Sequence, residues 1–366
     1  MKLIVGTKLK KAREDIGLTQ EALAEAVGLS SEYISLLESG KRTPSLETLT
    51  NISSYLKKDI SYFMKKKELS FDILLGGERL DKNARRELKK FQMYSEEYIN
   101  LEELTGYRLE LAPLYSHVSP ERMADEERCR LGLKSEPIRD IFSLMEFNGC
   151  RVVRQPIPEE SQISGVFIHL EEKEASFALI NSLLTHGEQV FVAAHEYCHY
   201  LKDRNEGPII DNPDIFVDEF LSLYHPREKF AQAFAAQFLM PPSKVSEIID
   251  KNLRSKKLRF EDVIYLKRYF GVSIFAMLRA LRKLGHLSMT EYEECLQFDP
   301  DLQEEALFGN LTGEIAIKRR KGRPYISDRF RILAIKAFQR KKVSAEKLSE
   351  LLAQDKDKIV LLLTKS

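Results

Sequence analysis

Apolar positions recur with helical spacing over most of this chain and with strand spacing in one region only. Between residues 7 and 64, short apolar runs separated by turn formers read as five helices. Leu9, Ala12 and Ile16 share a face of the first, Leu23, Ala24 and Val27 of the second, Ile34 and Leu37 of the third. Thr19, Ser30 and Ser45 stand where a hydroxyl can cap the second, third and fourth helices, and Gly28 falls at the corner between the second and third. After Lys65-Lys66-Lys67, the charged stretch from Glu78 to Gly106 places Leu80, Leu88, Phe91, Met93, Tyr94, Tyr98, Leu101 and Leu104 on a long amphipathic helix. Such a helix could space domains or pair with its copy in a homodimer. From Pro120 the pattern predicts a helix to Leu131, a helix from Ile138 to Phe147, a turn at Asn148-Gly149, and strands over 150–154, 166–170 and 177–180. The charged turn Glu171-Glu172-Lys173-Glu174 joins the last two as a hairpin. Helical spacing then returns around His195, from Arg227 to Leu239, over 258–288, from Ser327 to Gln339 and from Ser344 to Ala353. The predicted class is mainly α with a small antiparallel β-sheet (α+β), divided as 1–68, a helical connector 69–119, a domain 120–290, and a helical region 291–366.

Composition narrows the setting. A chain of 366 residues, 43% hydrophobic, can bury two or three cores of ordinary size. Its longest apolar stretches, such as Phe191 to Ala194 and Ile359 to Leu363, are too short for a bilayer, and the Lys-rich start lacks an apolar signal core, so a cytoplasmic protein with no membrane partner is expected. Cys129, Cys150, Cys198 and Cys295 show no CxxC pairing, which points to reduced thiols rather than a disulfide framework or a thiolate zinc site. The net charge of +1 is unevenly spread: residues 1–67 hold 12 Lys and Arg against 8 Asp and Glu, so the positive excess sits at the N-terminal end, where it permits phosphate contact. The basic run Lys318-Arg319-Arg320-Lys321-Gly322-Arg323 reads first as a solvated loop.

The candidate chemistry lies in Ala194-His195-Glu196-Tyr197-Cys198-His199. On a helix, His195 and His199 share one face and can reach one metal ion, while Glu196 beside them can accept a proton from water. A zinc site of this kind needs a third protein ligand and keeps a fourth position open. Glu228 suits that role, because it stands on a helix whose Phe230, Ala231, Phe234, Ala235 and Phe238 must pack inward, where a bare carboxylate is costly. Glu206, Asp211, Asp214, Asp218, Glu219 and His225 compete with it. His186, His225, Tyr200 and Tyr224 are candidate oxyanion donors, and an edge strand beside the site could offer its backbone to an extended substrate. A loop such as Gly207 to Asp218 could cover the site.

Two resemblances sharpen these expectations. Leu18-Thr19-Gln20-Glu21-Ala22-Leu23-Ala24, Gly28-Leu29-Ser30 and the run from Tyr33 to Pro44 resemble the Cro/CI-type (XRE) helix-turn-helix family over roughly the first 65 residues. The resemblance implies that Ser31, Glu32, Tyr33 and Ser35 face base edges of a DNA operator, that Gln20, Lys41 and Arg42 touch phosphates, and that Arg13 and Glu38 form an internal ion pair. Ala194 to His199, together with Glu228-x-x-Ala231-Gln232-x-Phe234-Ala235-x-x-Phe238-Leu239-Met240-Pro241, resembles the ImmA/IrrE-type metallopeptidase family, as do Arg130 to Leu133, Pro137 to Asp140 and Gly149 to Val152. Carried onto this chain, that family's motif makes His195, His199 and Glu228 the ligands of one zinc and Glu196 the general base, in a zincin-like domain. Cys198 and Gln232 stand where the family often has Gly and Asn, and Val190 and Glu188 where it often has Arg. Together the resemblances imply a DNA-binding regulatory zinc endopeptidase that cuts a repressor, commonly of the helix-turn-helix class, or itself, to control stress or mobile-element genes. A non-proteolytic regulator whose peptidase-like domain senses a ligand or metal, and an antitoxin paired with a toxin, remain the other readings.

Overall fold

The computed structural model describes residues 2–56, 58, 70–75, 80–211, 226–254, 257–309 and 325–355, and the chain divides into two compact units, 1–73 and 74–366. In the first, α1 (Lys2–Asp15), α2 (Gln20–Val27), α3 (Ser31–Glu38) and α4 (Leu46–Tyr55) enclose Leu9, Ala12, Leu23, Ala24, Ile34, Leu37, Leu49 and Ile52. The caps form as their residue types dictate. Thr19 Oγ1 accepts from the Ala22 N–H (3.1 Å), Ser30 Oγ from Tyr33 (3.1 Å) and Ser45 Oγ from Thr48 (3.0 Å). Gly28 ends α2 at φ +67°, a left-handed conformation costly for any residue with a Cβ. Ile16, expected on the core face of the first helix, lies just past its end and is exposed, because the chain turns there to enter α2. The fifth predicted helix and the Lys65–Lys67 run fall outside the described residues. A short helix, α5 (Ser70–Leu75), follows.

The second unit is built on a four-stranded sheet of β1 (Cys150–Gln155), β2 (Gly165–Leu170), β3 (Ala175–Asn181) and β4 (Ile209–Asp211), in the order β1-β3-β2-β4. β2 pairs antiparallel with β3 and β4, but β1 pairs parallel with β3, so the sheet is mixed and not antiparallel throughout. The physical reason lies in β3. Phe177, Ala178, Leu179 and Ile180 are fully buried, which suits a central strand covered on both faces and places β3 between its two predecessors.

Helix α6 (Lys82–Thr105) rests against β3; α7 (Pro120–Arg130) and α8 (Ile141–Phe147) lead into β1. Helix α9 (His186–Lys202) packs on β2 and β3, and α10 (Pro226–Leu239) packs on both α9 and α7. From Gly187 to Leu201 only Glu188 on α9 escapes full burial, as expected of a helix apolar on most of its circumference and enclosed on every side. Thr185 and Glu188 close a capping box at its start. Beyond come α11 (Pro242–Ile248), α12 (Phe260–Phe270) and α13 (Ile274–Lys283), the last capped by Ser273. Then follow α14 (Met289–Cys295), α15 (Pro300–Phe308), α16 (Asp328–Gln339) and α17 (Ala345–Leu352).

Helix α6, read from sequence as a spacer or a pairing element, lies within this unit. Tyr94 stacks on Phe330 of α16 (4.6 Å between ring centres), and Tyr98 meets both Phe330 (5.3 Å) and Phe177 of β3 (6.0 Å). Beside them, the buried Arg151 donates to Glu102 through Nε (3.1 Å) and a terminal nitrogen (2.6 Å), and Arg329 of α16 donates to the same carboxylate. One buried acid thus joins α6, β1 and α16. The basic run 318–323 lies outside the described residues, among which no helix is long and apolar enough to cross a membrane.

Candidate metal centre

Helical spacing does for His195 and His199 what the sequence implies: their Nε2 atoms lie 3.1 Å apart, and both rings are fully buried. Glu228, on the first turn of α10, brings Oε2 to 3.1 Å from His195 Nε2 and 3.5 Å from His199 Nε2. A fourth donor comes from the edge of the sheet. Asp211, the last residue of β4, holds Oδ2 at 3.1 Å from His195 Nε2 and 3.8 Å from His199 Nε2. One ligand atom from each of these four residues falls within 4.8 Å of every other.

These spacings suit a metal better than mutual hydrogen bonding. Donors at about 2.0–2.1 Å from a shared tetrahedral centre sit about 3.3 Å from one another, close to the separations found. Asp211 Oδ2 is buried, yet makes no hydrogen bond among the described residues. Two imidazoles and the carboxylates of Asp211 and Glu228 together form a nitrogen and oxygen donor set of the kind that holds a divalent cation.

The surroundings tune each group. Burial alone would lower the His195 imidazole, but Asp211 and Glu228 hold it up at about 9. Burial likewise opposes the shift at Glu228, whose carboxyl the bonds from His195 and His199 nonetheless hold far below the usual range. His199 is raised against its burial first by Asp203, whose Oδ2 lies 2.8 Å from Nδ1 and fixes the ring. Burial, reinforced by the charge of Asp211, pushes the Glu196 carboxyl well up, and neither of its oxygens has a hydrogen-bond partner among the described residues. Glu196 packs against Gly165 of β2, where an added Cβ would come within 1.9 Å of Oε1. Only glycine leaves room there for the carboxylate.

Of the acids that compete with Glu228 in sequence, Asp211 joins the cluster, whereas Glu206 lies 3.7 Å from Arg227. Asp214, Asp218, Glu219 and His225 lie outside the described residues. Tyr200 is committed elsewhere: its hydroxyl donates to the Asn148 carbonyl (2.8 Å) and accepts from the Ala112 N–H (2.6 Å). His186 packs against Phe142, and Tyr224 is not among the described residues. Cys198 is fully buried, and burial pushes its thiol well up, as expected of an inert core cysteine. Sequence reasoning misses Asp203, although it stands four residues after His199, at the C-cap of the same helix, a spacing that could have found it.

In the first unit, Ser31, Glu32 and Ser35 are exposed at the start of α3, and Tyr33 is half-buried with the Arg42 guanidinium 5.0 Å from its ring centre. Lys41 and Arg42 are exposed just beyond α3. The Gln20 amide donates to Glu38 (2.7 Å), itself paired with Arg13 (2.6 and 2.9 Å).

Comparison with known proteins agrees with both halves of this description. Residues 9–63 match the family described as Helix-turn-helix, and residues 148–282 match the IrrE N-terminal-like domain. An uncharacterized HTH-type transcriptional regulator, y4dJ of Sinorhizobium fredii, is 38% identical over 56 residues, 15% of this chain and 73% of that protein. The chain belongs to the helix-turn-helix family and carries an IrrE N-terminal-like domain. It also resembles two Bacillus subtilis proteins: the SPbeta prophage-derived uncharacterized HTH-type transcriptional regulator YonR (32% over 68 residues, 19% of this chain) and the HTH-type regulator YqaE (35% over 82 residues, 22% of this chain). The chain spans 63% and 61% of their lengths. The IrrE N-terminal-like domain runs from the turn before β1 into α13, so it contains all four clustered donors and Glu196. Helices α6 to α8 and α14 to α17 lie outside the matched stretch.

Proposed function

We propose that the protein is a cytoplasmic, DNA-tethered regulatory zinc endopeptidase whose substrate is a transcriptional repressor, commonly itself of the helix-turn-helix class. The observation that carries this reading is the convergence of His195, His199 and Glu228 within one cluster, with the Glu196 carboxylate, unpartnered among the described residues, alongside. Zinc, when bound there, supplies a Lewis acid for a peptide carbonyl and acidifies nearby water. The protein's own groups do the rest. Asp203 orients the His199 ring through Nδ1. Glu196, its proton affinity raised by burial, takes up a proton at its carboxylate and releases it to the nitrogen of the departing amine. The exposed start of α3, with Lys41 and Arg42, would hold the protein on DNA near an operator, Ser31, Glu32, Tyr33 and Ser35 facing the bases.

Elemental analysis and a cleavage assay test the reading together. About one zinc per chain, lost in His195→Ala and in Glu228→Ala, is the expected result. Glu196→Gln should keep its zinc and lose about 10²–10⁴-fold in hydrolysis of the cognate repressor. Full activity in Glu196→Gln would remove this mechanism. One observation favours a second reading, a metal-sensing regulator without proteolysis: the fourth donor, Asp211, stands where a hydrolytic site keeps an opening. Metal-dependent DNA affinity without any cleavage product would select it.

A further inference from the structure

Asp211 acts from an unusual position. β4 is three residues long and lies along the edge of β2 in antiparallel register, pairing Asp211 with Gly165, Ile210 with Val166 and Ile209 with Phe167. Without β4, β2 would be the outer strand of the sheet, packed on α9, the helix that carries His195 and Glu196, with the backbone groups of one edge free. That edge is where an extended peptide would add as a strand, and Gly165, at its near end, lies against the Glu196 carboxylate. β4 fills this place with main chain of the protein's own. The Asp211 carbonyl is held twice, by the N–H of Ser164 (2.9 Å) and by its hydroxyl (3.0 Å), while the Asp211 side chain turns into the donor cluster. Its buried Oδ2 lies 3.1 Å from His195 Nε2 and makes no hydrogen bond among the described residues, so sheet pairing alone does not explain its direction.

We propose that β4 is a built-in stand-in for substrate: its backbone occupies the peptide groove along β2, and Asp211 supplies a fourth protein ligand that closes the metal centre. The proposal rests on the zinc-peptidase reading above and adds how that site is regulated. A catalytic centre keeps one position for water or substrate, whereas four protein donors make a closed centre of the structural kind. Turnover then requires β4 to leave β2, and the resting protein is self-inhibited. Whatever draws β4 away, such as a partner or a competing strand with higher affinity for β2, switches the peptidase on by shifting a population between closed and open states. Among the described residues β4 pairs on one side only and over three residues, which keeps the open state within reach.

Cobalt(II) in place of zinc makes the test spectroscopic and independent of any substrate. The full chain loaded with cobalt is titrated with azide, which enters only a vacant coordination position, and the visible absorption is followed. In a protein open for about one part in ten of the time, apparent azide affinity is reduced about tenfold, so Asp211→Ala should bind azide at least about tenfold more tightly than wild type. Asp211→Asn, which keeps the shape and the Ser164 contacts, should shift the same way and carries the comparison if the alanine variant folds poorly. Azide binding to wild type as tightly as to both variants overturns the fourth ligand. Groove occupancy has its own readout in amide exchange at 209–211: a peptidyl hydroxamate bound to the wild-type protein should displace β4 and speed exchange there. Unchanged protection with the hydroxamate bound overturns it. Cobalt binding one per chain and lost in His195→Ala leaves the metal centre standing whichever way azide decides; cobalt that fails to bind at all removes both readings.

Discussion

Asp203 illustrates how much a single side chain beyond the donors can govern. It lies 2.8 Å from His199 Nδ1, and Lys202 Nζ is 3.1 Å from its other oxygen, so the ring is held with Nε2 toward the cluster. His195 has no such support: its Nδ1 is buried without a partner among the described residues. The metal affinity should therefore depend strongly on the one oriented ring. We expect Asp203→Ala to bind zinc about 10–100-fold more weakly, measured by competition with a chelating dye, while Lys202→Ala changes little. Equal affinity in Asp203→Ala and wild type would show that packing alone orients His199. At this scale the sequence is most readable where function follows helical spacing, as for His195, Glu196 and His199. Asp211 has no periodic relation to them. It arrives by strand pairing, so the sequence can present it only as one acid among several near Glu228.

Elements disclose themselves in the sequence through their ends and faces, and hide their partners. The caps Thr19, Ser30, Ser45, Ser273, Ser327 and Ser344 all form, because each depends only on a hydroxyl and the next turn of backbone. The order of the sheet does not follow from any local rule. Placing β1 beside β3 requires knowledge of long-range pairing, as does the docking of α6 on α16. What joins those elements is the buried acid Glu102 between Arg151 and Arg329. Removing one partner of a buried ion pair leaves charge without compensation, at about 3–5 kcal/mol. Arg151→Ala should therefore cost close to 3 kcal/mol in urea denaturation, the lower figure because Arg329 still meets Glu102. Exchange of both Glu102 and Arg151 for Met should recover most of that stability. A change below about 1 kcal/mol in Arg151→Ala would mean that the cluster contributes nothing beyond its packing.

Across the whole molecule, two compact units carry separate chemistry, and the charge is divided accordingly, with the positive excess in residues 1–67. DNA affinity should then respond to the first unit alone. Lys41→Ala combined with Arg42→Ala should reduce the slope of log affinity against log salt by about two, near 0.9 for each phosphate no longer neutralised, on a duplex of arbitrary sequence. An unchanged slope would exclude both side chains from the DNA surface. The division between the two units falls at residue 73. The helices flanking the second unit are harder to place from sequence, since an amphipathic face shows that a helix is covered but not by what.

The bridge between Tyr325 and Arg154, together with Arg329 on Glu102, also bears on how the protein is made. On the ribosome, β1 and α6 emerge long before residues 325–339, which must cover one edge of β1 and one face of α6. At roughly 5–20 residues per second the interval lasts on the order of ten seconds or more, during which a strand edge and a half-compensated acid stand open to solvent and to neighbouring chains. These contacts are thus left unmade until α16 has been synthesised, and the same delay that withholds them exposes the nascent chain to misassembly.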